Sequence, residues 1–264
     1  MKKILLTNDD GFDSRGLLML REALEDIAQV LVVAPASEKS ACGHGLCLHR
    51  PLRFIKVDED FYKLEDGSPT DCVYLAMHAL YGEGEKPDLV VSGINLGSNM
   101  GEDITYSGTA AGAIEGVLQG IPSIAISQVM RDKKLAGDFD FALAKRTIRE
   151  IVLKIFSGDF PLGERKFINI NIPQIAPSQC KGYKITQKGY RLYTNSAHAH
   201  RDPRGKEYYW LGLQPLAWRE REGVVSDFGA TKEGYVAITP ITINMTSYED
   251  LEVMQEWLDR PVSE

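Results

Sequence analysis

Two adjacent carboxylates, Asp9 and Asp10, come soon after the apolar run of residues 4–7. Parallel sheets place their ligand sites at the carboxyl ends of their strands, and two neighbouring carboxylates are costly unless a cation or a proton neutralises them. A divalent metal is the simplest neutraliser, so the pair predicts a metal site. The alternative is a solvated turn in which Asn8 and Asp10 flank Gly11, because this sequence is also good turn chemistry.

A second segment, residues 92–112, follows an apolar strand pattern and reads SGINLGSNMGEDITYSGTAAG. Its five glycines let backbone amides approach an anion closely, because glycine lacks a Cβ and adopts positive φ. Near its end Ser107, Gly108 and Thr109 open a predicted helix, where hydroxyls, amides and the helix dipole together predict a phosphate site. The segment matches neither a Walker A loop nor the dinucleotide fingerprint. The alternative is a long turn without function.

A third loop, residues 35–45, reads PASEKSACGHG and follows another apolar run, so we expect it at the same edge of the sheet. Ser40 offers a hydroxyl to a metal or a phosphate, although serine in such a loop commonly forms local bonds instead. Lys39 and His44 are candidate contacts to phosphate or the leaving group, and both also fit an ordinary solvated surface. The three loops predict a shared site.

This predicted site offers hard oxygen ligands: two carboxylates, an amide oxygen and a hydroxyl. Such ligands suit Mg²⁺, Mn²⁺ or Ca²⁺ better than zinc. One ion held this way would leave positions for water and for a substrate phosphate oxygen. It could polarise the phosphoryl group and lower the pKa of a bound water.

The elements that must position these loops alternate between short β-rich runs and helical patterns, which is typical of parallel strands joined by helices. Strands are predicted at residues 4–7, 30–34, 89–92 and 123–127. Helices are predicted at residues 17–27, 70–80, 108–118 and 139–156, the first with Ser14 as its N-cap. We therefore expect an α/β fold, a Rossmann-like three-layer domain with a mostly parallel sheet.

The pattern changes after Gly158. Residues 167–172 read FININI, a period-two alternation that predicts a strand with one polar face, closing the main sheet. Residues 183–235 show no clear helical period and carry many aromatics, which predicts a protruding β-rich segment with oligomer contacts. A strand at 236–243 and a helix at 248–258, capped by Ser247, complete the chain. We therefore divide it into a core at 1–182, a β-rich segment at 183–235 and a returning strand and C-terminal helix at 236–264.

Composition narrows the function. The 264 residues carry a net charge of −7, which argues against a stable nucleic-acid partner because such binding needs clustered Lys and Arg. The four cysteines form no CxxC pair and are read as reduced thiols. No apolar run approaches the length of a signal-peptide core or a membrane span. The cytoplasm is therefore the expected compartment, with no membrane partner.

The chain resembles the survival protein E family, SurE, whose members are metal-dependent 5'(3')-nucleotidases and acid phosphatases. The resemblance rests on five motifs, at residues 7–11 (TNDDG), 32–35 with Ser40 (VVAP), 66–72 (DGSPTDC), 91–109 (VSGINLGSNMGEDITYSGT) and 234–241 (GYVAITPI). It runs from the first strand almost to the carboxyl terminus, and the motif at residues 91–109, which is rich in Gly and Asn, is its most specific part. The resemblance identifies the chain as a family member.

By this resemblance one divalent cation per subunit would be coordinated by Asp9, Asp10, Ser40 and Asn95. The phosphate site would be lined by Asn99, Ser107, Gly108 and Thr109. The resemblance further implies hydrolysis of nucleoside monophosphates and other small phosphomonoesters. It also implies homodimers or homotetramers, formed partly by exchange of carboxyl-terminal segments. The chain departs from the family pattern at Gly45, where Ser or Thr is common, and at Cys42, so base preference is not carried over.

The expected mechanism is attack on phosphorus by water that Asp9 or Asp10 orients, while Ser107 and loop amides stabilise the equatorial oxygens and Asn95 completes the catalytic set. A covalent aspartyl-phosphate route is the alternative. Two other classes of function remain. One is a nucleotide or metal sensor without catalysis, and the other is a glycosyltransferase that holds a metal and a nucleotide sugar with paired acidic residues.

Overall fold

The computed structural model describes residues 1–130, 140–158, 160–193, 197–211 and 216–260. Within them thirteen strands follow in order: β1 Lys3–Thr7, β2 Gln29–Pro35, β3 Arg53–Asp58, β4 Phe61–Glu65, β5 Leu89–Leu96, β6 Ser123–Gln128, β7 Lys166–Ile172, β8 Tyr183–Ile185, β9 Tyr190–Leu192, β10 Ala197–Arg201, β11 Glu207–Leu211, β12 Ala217–Arg219 and β13 Val236–Thr242. The α-helices of the same residues are α1 Arg15–Leu24, α2 Pro69–Ala79, α3 Gly108–Leu118, α4 Ala142–Ser157, α5 Asp227–Lys232 and α6 Leu251–Leu258. Short 3-10 helices occupy Gly101–Thr105, Pro177–Gln179 and Tyr248–Asp250.

The centre of the fold is a nine-stranded sheet with the order β3-β4-β2-β1-β5-β6-β7-β13-β8. Its pairs are parallel except β3 with β4 and β13 with β7. From β1 the chain builds outward in one direction through β2 and in the other through β5, so a topological switch point lies between β1 and β5. Ligands of open α/β sheets bind at such a point, beyond the carboxyl ends of the strands.

Helices cover both faces of the sheet, which confirms the predicted three-layer α/β architecture. Strand β1 illustrates why helices pack on both faces: successive side chains of a strand point to opposite faces of the sheet. Ile4 and Leu6 pack in one core with Leu17 of α1 and Ile148 of α4. Leu5 packs on the opposite face with residues of α2. Burial on both faces explains why the central strands read as continuous apolar runs.

The predicted helices of the core are confirmed with shifts of a few residues at their ends. Ser14 caps α1 as predicted, since its Oγ accepts a hydrogen bond from the Leu17 backbone amide. Helix α3 has the predicted bounds. The predicted start of the fourth helix at residue 139 lies outside the described residues, and the observed helix spans Ala142–Ser157.

Several sequence predictions about strands were wrong. The antiparallel hairpin of β3 and β4 was missed. Strand β5 extends to Leu96 instead of ending at Ser92, so the loop of residues 97–107 that follows it, the Gly/Asn loop, is shorter than expected. Strand β7 does not close the sheet, because β13 and β8 lie beyond it. The predicted polar face of β7 is present, and its Asn169 and Asn171 are fully buried.

The later part of the chain is mixed in character. Strand β8 joins the main sheet through parallel pairing with β13, and α5 is a short helix that the sequence pattern did not predict. Strands β10 and β11 form a separate antiparallel hairpin whose residues are all exposed. The C-terminal helix α6 is present, but the predicted cap was wrong: Ser247 precedes the 3-10 turn before α6, and its hydroxyl donates to the Asp250 carboxylate instead of accepting from a backbone amide. In the described part of the chain no helix is both long and apolar enough to cross a membrane.

Candidate active site

Asp9 lies just beyond the carboxyl end of β1 and is nearly buried, with 4% of its surface exposed. Its Oδ1 accepts a hydrogen bond of 2.5 Å from the Thr109 hydroxyl, at the first turn of α3. Gly108 permits this contact, because a Cβ at that position would lie 2.7 Å from the Asp9 Cβ and 2.9 Å from its Oδ2. The helix start therefore packs directly on the carboxylate. The Thr109 hydroxyl is engaged by Asp9 in this structure.

Asp10 shares the negative charge of its neighbour. Burial and the nearby charge of Asp9 raise the pKa of Asp10 to about 6, while a hydrogen bond from the Leu96 amide (3.2 Å to Oδ2) lowers it in part. Burial likewise raises the pKa of Asp9, and the bonds from Thr109 oppose that rise. Two adjacent carboxylates with raised pKa values lack enough positive charge around them. A cation is the group that would supply it.

The turn after Asp10 shows that this segment can form a turn and still offer its carboxylates to a metal ion. The Asn8 side-chain amide donates to the Gly11 carbonyl (2.9 Å) and to the Ser14 Oγ (2.7 Å), and Gly11 has a φ of +103°. Asn8 and Gly11 therefore form the turn, and Ser14 starts α1. Asp10 takes no part in those bonds, so turn chemistry holds the loop without consuming its carboxylate.

The loop of residues 35–45 is joined by backbone hydrogen bonds to Asp9 and to Tyr106. The Lys39 amide donates to the Asp9 carbonyl at 2.7 Å, and the Gly43 amide donates to the Tyr106 carbonyl at 3.0 Å. Ser40 is exposed and its hydroxyl donates to the Glu38 carboxylate at 2.6 Å. Glu38 was not singled out from the sequence, yet its charge contributes to the raised pKa of both aspartates. An acidic residue in the motif before Ser40 was the signal that could have identified it.

Asn95 lies within β5, beside a register shift in the pairing with β6 between Ser92 and Asn95. Bulges of this kind re-aim side chains next to active sites. The Asn95 side-chain nitrogen donates to the Gly97 carbonyl at 2.9 Å. Its side-chain oxygen is consequently the atom that could serve a metal ion.

Asn99 is an anchor of the Gly/Asn loop. Its side-chain nitrogen donates to the Ser127 hydroxyl (2.9 Å), and its backbone amide donates to the Asn171 side chain (3.0 Å). Its carbonyl accepts from the side chains of both Asn169 (2.9 Å) and Asn171 (3.0 Å). The buried face of β7 thus holds the loop. Sequence analysis missed Asn169 and Asn171, although two asparagines in an apolar strand were a visible signal.

Ser107 is the N-cap of α3, with its Oγ accepting from the Ala110 amide at 2.9 Å. It is nearly buried, as are Gly108 and Thr109. A helix start carries partial positive charge and favours anions. The structure therefore sets this end of α3 against Asp9, with the Gly/Asn loop leading into it.

His44 contacts the same helix about two turns further along. Its Nε2 lies 3.0 Å from the carboxylate of Glu115, which Gln119 also contacts. Burial alone would raise the pKa of Glu115, but the bonds from His44 and Gln119 lower it below its usual value. His44 is therefore joined to α3 rather than to the aspartates. For Lys39, the observed contact is made by its backbone.

The donor set at the switch point fits a hard cation. In the described ranges no three His, Cys, Asp or Glu side chains are grouped so as to hold a metal ion. A soft, thiolate or imidazole site is thereby unsupported there. Asp9 and Asp10 provide charge, while the Asn95 amide and the Ser40 hydroxyl are neutral oxygens on adjoining loops, a set typical of Mg²⁺, Mn²⁺ or Ca²⁺.

Comparisons with known proteins identify the family of this chain. The sequence model of the family described as Survival protein SurE matches residues 4–195. A protein of Helicobacter hepaticus named 5'-nucleotidase SurE is 68% identical over 262 residues, covering 98% of this chain and 99% of that protein. One of Wolinella succinogenes with the same name is 65% identical over 259 residues, covering 98% and 100%.

A solved structure extends the likeness to three dimensions. The SurE protein of Aquifex aeolicus has a TM-score of 0.83 and 41% sequence identity, and the match covers 97% of this chain and 100% of that one. The family match over residues 4–195 includes every candidate site residue, from Asp9 to Thr109. The chain belongs to the SurE family of survival proteins.

Proposed function

We propose that this protein is a metal-dependent phosphomonoesterase that hydrolyses nucleoside 5'-monophosphates to nucleoside and phosphate. One observation carries the proposal: the buried Asp9 packs against the N-terminus of α3 through Thr109 and Gly108, and the partly buried Asp10 is its neighbour in the chain. The carboxylates that would hold a cation therefore lie beside a helix start whose partial positive charge favours a phosphate. The names of the relatives, 5'-nucleotidase SurE, support the same activity.

The proposed metal ligands are Asp9, Asp10, Asn95 and Ser40, holding one divalent cation per subunit, Mg²⁺, Mn²⁺ or Ca²⁺. The bound cation would supply Lewis acidity to the phosphoryl group and lower the pKa of a water. For Ser40 to take part, its hydroxyl must leave the Glu38 carboxylate, to which it donates here. The raised pKa values of both aspartates support a cation as their missing partner.

The substrate phosphate would bind at the start of α3, near Ser107, Gly108 and Thr109. The amides and dipole of that helix favour the negative charge of the equatorial oxygens, and they need no rearrangement as charge develops. Asn99 shapes this site by fixing the loop before it, as its bonds to Ser127 and β7 indicate. Lys39 and His44 stay proposed contacts to the phosphate or the leaving group; for His44 this requires its ring to leave the Glu115 carboxylate, which it contacts here.

The carboxylates would orient the attacking water and accept its proton, while the leaving nucleoside oxygen departs from the opposite side of phosphorus. Direct attack by an aspartate is the competing route. Acid quenching during turnover of ³²P-labelled substrate separates the two, since only the covalent route yields labelled protein.

The decisive assay measures phosphate release from AMP, GMP and p-nitrophenyl phosphate with Mn²⁺ or with EDTA. We expect release with metal and loss with EDTA. Asp9→Asn and Asn95→Ala should each remove most turnover and weaken Mn²⁺ binding measured by calorimetry. Asp13→Asn is the matched control, since Asp13 is an exposed carboxylate of the same turn. Near-normal rates in both site variants would refute the site, and binding without release would favour a sensor.

We further propose a homodimer or homotetramer, with the chain organised as the core 1–182, the segment 183–235 and the returning strand and C-terminal helix 236–264. Large apolar side chains support this, because Trp210 is 65% exposed on the β10–β11 hairpin and Trp257 is 60% exposed on α6. Tyr and Trp are enriched in interfaces. Light scattering of the intact protein and of Trp257→Glu would test it, and a monomer at every concentration would contradict it.

A further inference from the structure

The Gly/Asn loop, residues 97–107, has a second attachment in addition to its bonds with β7. Asp227, the first residue of α5, is fully buried and accepts three backbone amides. Its Oδ2 accepts from Gly101 in the loop at 2.9 Å. Its Oδ1 accepts from Gly189 and from Phe228, both at 2.9 Å. One carboxylate thus joins the loop, the turn before β9 and the start of α5.

The packing around this carboxylate leaves little freedom. Gly101 has a φ of +56°, and a Cβ there would lie 2.7 Å from the Phe228 ring and 2.9 Å from the Gly189 carbonyl. A Cβ at Gly189 would lie 2.3 Å from the same ring. Close contact without side chains allows the three segments to meet. Met100 adds an apolar contact, since it is buried in one cluster with Phe228.

A second group of bonds joins the same two parts of the chain. The Arg191 backbone amide donates to Glu102 at 2.6 Å, and its Nε donates to Asp103 at 3.1 Å. The Tyr193 hydroxyl also donates to Asp103, at 2.8 Å. Both acidic residues belong to the 3-10 helix within the loop. Arg191 of β9 and the nearby Tyr193 therefore bind the acidic side chains of the loop, while Asp227 binds its backbone at Gly101.

The loop connects two parts of the proposed site, because Asn95 precedes it and Ser107 ends it. We infer that Asp227 is a positioning residue, which fixes the Gly/Asn loop from outside the core and thereby holds the start of α3 in its phosphate-binding geometry. This inference rests on the proposed function. It assigns to the segment 183–235 a role in positioning the site, beyond the oligomer contacts proposed for it.

The Asp227→Asn variant tests this role at the level of single atoms. Asparagine retains one acceptor oxygen, which can keep the bonds from Gly189 and Phe228. Its NH₂ group would then face the Gly101 amide, and two donors cannot bond with each other. The substitution should release the loop while leaving α5 in place. Burial raises the pKa of the Asp227 carboxyl and the three amides oppose that rise, so charge is tolerated there by virtue of those bonds.

Ser226→Ala is the matched control. Ser226 caps α5, with its Oγ accepting from the Gly229 amide at 3.0 Å, and it makes no side-chain bond to the loop among the described residues. Both variants remove a polar group at the start of the same helix. Tyr193→Phe is a second test on an exposed residue that deletes only the hydroxyl bond to Asp103.

Four quantities are measured on the whole chain: hydrogen exchange of peptides covering residues 97–107, kcat/KM for p-nitrophenyl phosphate, its inhibition by inorganic phosphate, and Mn²⁺ affinity. For Asp227→Asn we expect faster exchange and a higher inhibition constant for phosphate, because phosphate binds more weakly. We also expect kcat/KM to fall by about tenfold to a hundredfold, the scale of an ångström-size misplacement. Mn²⁺ affinity should be retained. Tyr193→Phe should shift exchange in the same direction to a smaller extent, and Ser226→Ala should leave exchange and phosphate inhibition unchanged.

Different outcomes identify different failures. Unchanged loop exchange in Asp227→Asn would overturn the inference, as would equal loss of activity in Asp227→Asn and Ser226→Ala at matched melting temperatures. If Asp227→Asn does not fold, unchanged exchange in Tyr193→Phe overturns it. A wild-type protein without phosphomonoesterase activity would refute the proposed function instead, and the exchange experiment would still decide whether Asp227 holds the loop.

Discussion

Gly108→Ala is the substitution that most directly tests the contact between α3 and Asp9. The added methyl group would lie 2.7 Å from the Asp9 Cβ and 2.9 Å from its Oδ2, closer than real Cβ contacts allow. Either the helix start or the carboxylate must move. The backbone is not the obstacle, because Gly108 opens a helix, a conformation that alanine accepts readily.

The size of the effect follows from two terms. Overpacking a tight contact costs about 1–3 kcal/mol, which corresponds to a melting temperature lower by roughly 2–10 °C for a chain of this size. A displacement of about 1 Å at a reacting group can cost about a hundredfold in rate. We therefore expect Gly108→Ala to be modestly destabilised, to bind Mn²⁺ more weakly and to lose about a hundredfold in kcat/KM for p-nitrophenyl phosphate.

Gly112→Ala is the control, since it lies one turn later on α3. Its Cβ would meet Thr7 Cγ2 at 2.7 Å and Ser92 Oγ at 2.8 Å, a comparable clash that spares the carboxylate. Alanine in the helix interior recovers about 1 kcal/mol of helix propensity, so its net cost should be smaller. Calorimetric melting and metal-dependent hydrolysis are measured for both. If the two variants lose activity in the same proportion, Gly108 is merely a packing position and our reasoning fails.

Two other expectations concern stability, measured by urea unfolding. Leu17→Ala should cost about 2–5 kcal/mol because Leu17 is fully buried between α1 and the sheet, whereas Leu18→Ala, at a 40% exposed position, should change stability by less than about 0.5 kcal/mol; equal losses would contradict the assigned faces. Folding lowers the pKa of Glu115 below 4.5, so its carboxylate adds stability above that pH which is lost as the pH falls through the folded-state pKa. The stability gap between wild type and Glu115→Gln should therefore narrow below about pH 4.5, and a gap that stays constant would show that the carboxylate is not stabilised by folding.

The sequence predicted the central part of the fold because its signals are local. Apolar runs such as residues 4–7 identify strands, Ser14 marks a helix start, and alternation of the two implies parallel pairing. The hairpin of β3 and β4 was missed because both strands mix charged and apolar residues without a clear apolar period; β3 is mostly exposed, and β4 buries only Phe61 and Leu64. Edge strands gain their identity from pairing with a neighbour, and pairing is not written in either strand alone.

The residues of the candidate site likewise fall into those that local patterns predicted and those that they did not. Asp9, Asp10 and Ser107 could be proposed because each follows a recognisable strand or opens a recognisable helix. Contacts across the fold were beyond reach: no local pattern links Asp227 to Gly101, which lie 126 residues apart. The family resemblance supplied the ligand set, but it gave no reason for the buried asparagines of β7.

Those two asparagines have a consequence for protein engineering. Valine at positions 169 and 171 would suit a central strand better by intrinsic preference, so a stability-guided redesign of β7 would favour it. The Asn99 carbonyl would then lose both side-chain donors in a buried setting, which costs about 1–3 kcal/mol. A variant selected for a more regular sheet would thus trade order in the strand for disorder in the loop, and its turnover would fall although no residue of the proposed metal site had been touched.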